Sequence, residues 1–285
     1  MRTAHVIGAA LLAALISASA VAQQDCAGEQ PCTIEFMDEG AADDGRYYVE
    51  APSDWDGTSA LPILVWFHGY QGSGLGAIRN QRLVEAWTDA GYLFVAADGR
   101  NNTWAHQGSP SQARSDTAYV RAVIENVQDR YPIDRQRVVA AGFSQGGSMV
   151  WSVACFIGAP FSHYAPISGA FWNPLPETCD AGPVMMRHTH GTSDRVVPME
   201  GRPIGVLWHQ GDVLTGVEIL REVNECLAAP DQSDLIVGSA TCSVWSSCSR
   251  GGLQLCLHDG GHGMPAGWSP STQAWIEETV PVPTN

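Results

Sequence analysis

Residues 137–154 read RVVAAGFSQGGSMVWSVA, and their reading decides the fold. Residues 138–141 form a short apolar strand. The turn Gly142-Phe143-Ser144-Gln145-Gly146 follows, and a helical pattern starts at about Gly147. Ser144 stands at the tip of this strand-to-helix turn, with glycines two residues to either side. A backbone bent this sharply leaves no room for Cβ atoms at those two positions, and it lifts the serine hydroxyl clear of the sheet. In a chain with 30 glycines the pentapeptide alone is unspecific. Its weight comes from the strand before it and the helix after it.

Working outward, residues 61–67 (LPILVWF) are a continuous apolar run, as expected of a parallel strand buried on both faces. The glycine-rich loop His68-Gly69-Tyr70-Gln71-Gly72-Ser73-Gly74 follows it. The pattern predicts a helix over 79–90, a strand over 92–97, and a helix to Arg130 that Asp116 could cap. Beyond the serine it predicts strands over 161–168 and 182–190, a helix over 212–228, strands at 242–245 and 253–258, and a closing helix over 268–279. Strands alternating with helices imply an α/β fold with a mainly parallel central sheet wrapped on both sides. The expected division is a signal peptide over 1–22, an N-terminal extension over 23–45 with a strand at 32–37, and one catalytic domain over 46–285. Within that domain Arg46–Glu50 reads as an edge strand.

A serine at its free pKa is a weak nucleophile, so a neutral imidazole must take its proton and a carboxylate must orient that imidazole. Two loops after Ser144 follow apolar strands. His190-Gly191-Thr192-Ser193-Asp194 carries Asp194 in a tight turn, and Asp259-Gly260-Gly261-His262-Gly263 presents His262 between glycines. Ser144, His262 and Asp194 are therefore the candidate nucleophile, base and orienting acid. Asp180 and Asp212 are rivals for the acid, and His209 and His258 for the base. The backbone N–H groups of Gln145 and Tyr70 are the candidate oxyanion donors. His188 and His190 share a strand face but lack an evident third ligand, so no metal and no cofactor is expected.

The first residues combine Arg2, an apolar run over 6–16 and Ala20-Val21-Ala22, the pattern of a secretory signal peptide. Eight cysteines fit an oxidising compartment, and the C-x-x-C spacing of a zinc site is missing. The formal net charge is −15 and all fifteen basic residues are arginines. Such a surface argues against nucleic acid or an anionic membrane as a partner. A secreted monomer is expected.

The combination resembles secreted α/β-hydrolase esterases, the group that includes poly(3-hydroxybutyrate) depolymerases and feruloyl and acetylxylan esterases. The resemblance rests on the His68-Gly69 loop, Asn102-Thr103-Trp104, Tyr131-Pro132-Ile133-Asp134, Gly142-Phe143-Ser144-Gln145-Gly146-Gly147, Pro166-Ile167-Ser168-Gly169, His190-Gly191-Thr192-Ser193-Asp194, Val197-Pro198 and Asp259-Gly260-Gly261-His262. Together these span about 46–275. The resemblance implies an α/β-hydrolase fold, the triad Ser144, Asp194 and His262, and a bridge between Cys155 and Cys179. Cys248 with Cys256 is the second pair expected.

The connection around Trp172 is too short for a helical lid, so an open cleft is expected. Trp104, Trp172, Trp208 and Trp268 fall in loops near the active face. Trp104 and Trp172, with His68 supporting the oxyanion loop beside them, are the candidate substrate-binding residues. Aromatic walls would suit a cinnamoyl group, a polyester chain or a sugar ring. The leading expectation is a serine ester hydrolase for plant-derived aromatic (feruloyl) esters. Polyhydroxyalkanoate or other polyester cleavage comes next, ahead of a serine peptidase or a non-catalytic binding protein.

Overall fold

The middle of the sheet is apolar on both faces because a helical layer covers each. In the computed structural model, residues 26–280 are described; the expected signal peptide lies outside them. The elements run β1 (Cys32–Asp38), β2 (Ala41–Glu50), β3 (Leu61–Phe67), α1 (Gly74–Ile78), α2 (Gln81–Thr88), β4 (Leu93–Ala97), α3 (Asp116–Arg130), β5 (Ile133–Phe143), α4 (Gln145–Phe156), β6 (His163–Ile167) and β7 (Met185–Gly191). Then come β8 (Pro203–Ile204), β9 (Trp208–His209), α5 (Val213–Val223), β10 (Gln232–Val237), β11 (Ala240–Trp245), β12 (Gly252–His258) and α6 (Trp268–Thr279).

Ten strands form one sheet in the order β1-β2-β4-β3-β5-β6-β7-β12-β11-β10. The six from β4 to β12 are parallel, and antiparallel pairs finish both edges. Alternate residues of β3 feed opposite cores. Ile63, Val65 and Phe67 pack with α3, α4 and α5, while Leu64 and Trp66 pack with α1, α2 and α6. This is the mainly parallel, helix-flanked architecture expected of an α/β-hydrolase.

Four expectations are corrected. Residues 26–45 are not an extension outside the domain, because β1 and the first half of β2 lie in the central sheet. The helix expected over 79–90 is the shorter α2, which Asn80 starts by accepting from the Leu83 N–H, and the unexpected α1 precedes it. Ser115, not Asp116, caps α3, accepting from the Ala118 N–H, while Asp116 pairs with Arg114. Cys248 and Cys256 are not bonded to each other. Cys242 and Cys256 face one another across the β11–β12 ladder and are bridged. Cys248, between those strands, is bridged to Cys226 just after α5. Cys155 and Cys179 are bonded, tying α4 to the β6–β7 connection. Such a closure contributes about 3 kcal/mol in the chain-entropy model. A fourth bridge joins Cys26 and Cys32.

Candidate active site

Ser144 sits between β5 and α4 with φ 59° and ψ −122°, a left-handed backbone that a non-glycine residue rarely adopts. The bend holds because its neighbours leave one way through. A Cβ on Gly146 would run into the Phe67 carbonyl oxygen of β3, and the Ser144 N–H is tied to the Ile167 carbonyl of β6 at 2.9 Å. Ser144 thus stands at the carboxyl ends of three adjacent parallel strands.

The loops after β7 and β12 bring the other two residues to it. His262 Nε2 lies 2.8 Å from Ser144 Oγ, and His262 Nδ1 lies 2.7 Å from Asp194 Oδ2. An ionised carboxylate only accepts, so Nδ1 carries the proton and Nε2 is left to accept from the serine hydroxyl. The other oxygen of Asp194 accepts the N–H groups of Val196 and Val197 at 2.8 and 2.9 Å. Burial pushes this carboxyl up, but the His262 bond and the two amides outweigh it and hold it below the ordinary carboxylate range.

The turn of Asp194 is braced from beneath by the two buried histidines of β7. His190 Nε2 is 2.7 Å from the Val197 carbonyl, which can only accept, so that nitrogen donates. His188 Nε2 then donates to His190 Nδ1 at 2.9 Å. Burial holds both imidazoles below the usual histidine range, favouring the neutral rings this chain of bonds requires. The pair is committed to each other and to the turn.

Gln145 is the first residue of α4, and Tyr70 lies in the loop after β3. Among the described residues neither backbone N–H has a hydrogen-bond partner. Both residues line the cavity of about 410 Å³ that opens over Ser144. The Gln145 side chain is fixed to Thr103, donating to its hydroxyl at 2.8 Å and accepting from it at 3.0 Å.

Of the tryptophans, Trp172 and Trp208 line this cavity. Trp104 does not: it is 0% exposed, and its indole N–H donates to the His68 carbonyl at 2.7 Å. His68 is also buried. Its Nδ1 bonds the Gly69 carbonyl and its Nε2 accepts the Gly99 N–H at 2.9 Å, with its ring against Trp104. Two of the three candidate substrate-binding residues, Trp104 and His68, therefore stiffen the loop that carries Tyr70 from behind, while Trp172 faces the cavity. Trp268 is buried in the second core. The rivals are occupied elsewhere: Asp212 caps α5, Asp180 is exposed, His258 accepts from the Gly260 N–H, and His209 bonds the Gln210 carbonyl.

Sequence reasoning missed the connection between β7 and α5. It carries the small β8–β9 hairpin, whose strands also line the cavity together with Val196, Arg202 and Gln210. Gly205 at its turn, with φ 61°, is the one signal that could have marked it. The hairpin tip is apolar and open to solvent, with Val206 98% and Leu207 80% exposed.

The four disulfides among the described residues fit an oxidising compartment, and no helix there is long and apolar enough to cross a membrane.

No family model matches the chain. A "probable feruloyl esterase C" of Aspergillus terreus is 27% identical over 266 residues, covering 87% of this chain and 87% of that protein. The feruloyl esterase C of Emericella nidulans is 29% identical over 166 residues, 55% of this chain and 58% of that one. Among solved structures, the acetyl xylan esterase from Aspergillus awamori superposes with a TM-score of 0.58 at 13% identity, covering 86% of this chain and 99% of that one. With the sheet order and the serine turn described above, these similarities identify the chain as a carboxylic ester hydrolase with the α/β-hydrolase fold, similar to feruloyl esterases.

Proposed function

We propose that Ser144, His262 and Asp194 form the catalytic triad of a secreted esterase that cleaves aromatic, feruloyl-type esters through an acyl-enzyme. The observation that carries this reading is the unbroken hydrogen-bonded line from Ser144 Oγ through His262 to Asp194, opening into a cavity walled by Trp172 and Trp208. Ser144 Oγ attacks the ester carbon while His262 Nε2 takes the hydroxyl proton. Asp194 holds the tautomer and stabilises the imidazolium. The N–H groups of Gln145 and Tyr70 receive the developing oxyanion, each such donor being worth about 3 kcal/mol in the barrier. Collapse breaks the bond to the alcohol oxygen, which leaves with the proton from His262 Nε2. A water molecule then gives a proton to the same nitrogen, attacks the acyl-enzyme and frees the acid and Ser144.

The cavity volume lies in the range of small-molecule pockets, and flat indole walls suit a planar acyl group. The names of the two fungal relatives support the same substrate class. Polyester cleavage is a second reading, favoured by the exposed apolar tip at Val206 and Leu207. Purified protein should be offered methyl ferulate, acetylated xylan and 3-hydroxybutyrate oligomers. Fastest release from methyl ferulate is expected; rapid oligomer cleavage with no ferulate released would overturn the aromatic reading in favour of the second.

A further inference from the structure

Among the residues lining the cavity, one carries a charge: Arg202. Its Nε donates to the Val196 carbonyl at 2.7 Å, which fixes the side chain at the base of the β8–β9 hairpin. Its two terminal nitrogens have no carboxylate and no hydrogen-bond acceptor among the described residues. Other arginines here, including Arg46, Arg79, Arg100, Arg114, Arg137 and Arg221, are paired with Asp or Glu. Arg82, Arg121, Arg135, Arg187 and Arg195 also have no acid partner among the described residues, but none of them lines this cavity.

Beside it is a second unused polar group. Gln210 is 5% exposed and lines the same cavity, yet its amide oxygen is buried with no partner and its amide nitrogen makes no bond to a described residue. The two residues are locked together across the hairpin, the Gln210 N–H donating to the Arg202 carbonyl at 2.9 Å. Gln210 also pairs with Trp172 on its other side. A buried amide without a partner is destabilising, and a ligand that bonds to it recovers that cost. A guanidinium whose terminal N–H pair is free matches a carboxylate with two parallel hydrogen bonds.

We infer that Arg202 and Gln210 form a carboxylate-binding subsite, so that the preferred ester carries a free carboxylate besides the bond being cleaved. The inference rests on the cleavage at Ser144 proposed above. The carboxylate can belong to either part of the ester. On the acyl side the substrate is a half-ester of an aromatic dicarboxylic acid; on the alcohol side it is an aromatic acyl group esterified to a hydroxy acid.

Two matched pairs test this and separate the sources: methyl hydrogen terephthalate against dimethyl terephthalate, and caffeoyl quinate against methyl caffeate. The protein is expected to show the higher kcat/KM on the charged member of at least one pair, and the responding pair names the side. In Arg202→Gln that charged-over-neutral ratio should fall by about tenfold or more, mainly through KM, the scale of one hydrogen bond to a charged group. Arg202→Lys should restore part of the ratio, and added salt should lower it in the unaltered protein. Equal rates on both members of both pairs would overturn the inference. So would an Arg202→Gln variant that slows charged and neutral esters alike, which would reduce Arg202 to a brace for Val196. Loss of turnover on all four esters and on p-nitrophenyl acetate by the unaltered protein would overturn the proposed cleavage, and the subsite with it.

Discussion

Replacing Asp194 by asparagine leaves every atom position nearly unchanged and reverses one hydrogen bond. Oδ1 of Asp194 accepts two amides, from Val196 and Val197, and Oδ2 accepts from His262 Nδ1. Asparagine has one accepting oxygen and one donating nitrogen. Turning the nitrogen toward the two amides would set donors against donors at both, at about 1–3 kcal/mol for each group left unpaired. The oxygen therefore stays on the amides and the nitrogen faces His262. Nδ1 must then accept, which moves the imidazole proton to Nε2, pointing at Ser144 Oγ. A protonated Nε2 cannot take the serine proton. A triad locked in the wrong tautomer loses about 10⁴ in kcat, or about 5.5 kcal/mol of barrier. Initial rates on p-nitrophenyl acetate at pH 8, alongside circular dichroism and a thermal melt, would measure it. A folded Asp194→Asn protein within tenfold of the unaltered one would refute the reasoning, all the more if Asp180→Asn proved the damaging change.

Two further outcomes are expected. A Cβ at position 191 would fall well inside contact distance of the Gly260 and Gly261 carbonyl oxygens, so Gly191→Ala should push the His262 loop away from Asp194. Its kcat should drop by about 10², the effect of a misplacement near 1 Å, and unfolding in urea should show a loss of about 1–3 kcal/mol. Separately, burial holds His106 and His163 near pKa 4, against about 6.5 when unfolded. Between those values the unfolded chain binds more protons, so stability is full above about pH 6.5, falls as pH drops toward 4 and levels off below. Each histidine accounts for about 3 kcal/mol over that window. Urea unfolding at pH 7.5 and 5 should show the decline, and equal stability at both would contradict it.

The readable parts of the chain were those where chemistry restricts the backbone. Ser144 lies between glycines that the approach of β3 requires, and continuous apolar runs such as 61–67 can satisfy two cores at once. His262 and Asp194 follow strands whose register brings them together, which chain order alone could suggest. Tryptophan position was not readable in this way. Trp104 and Trp172 both lie in loops, but only packing decides that one indole braces the His68 loop while the other faces the cavity. The cysteine pairing depended on the β11–β12 register, which sets Cys242 opposite Cys256 and leaves Cys248 for Cys226. Arg202 and Gln210 gave no signal because their meaning comes from the partners they lack in three dimensions.

The central claim is that Ser144 is the nucleophile that becomes acylated. A fluorophosphonate probe, followed by mass spectrometry of the digested protein, tests it directly. The account predicts one equivalent of label on the peptide containing Ser144, loss of esterase activity in step with labelling, and no label in Ser144→Ala or on the heat-unfolded protein. Stoichiometric labelling of a different residue, or full esterase activity after Ser144 is labelled, would contradict it.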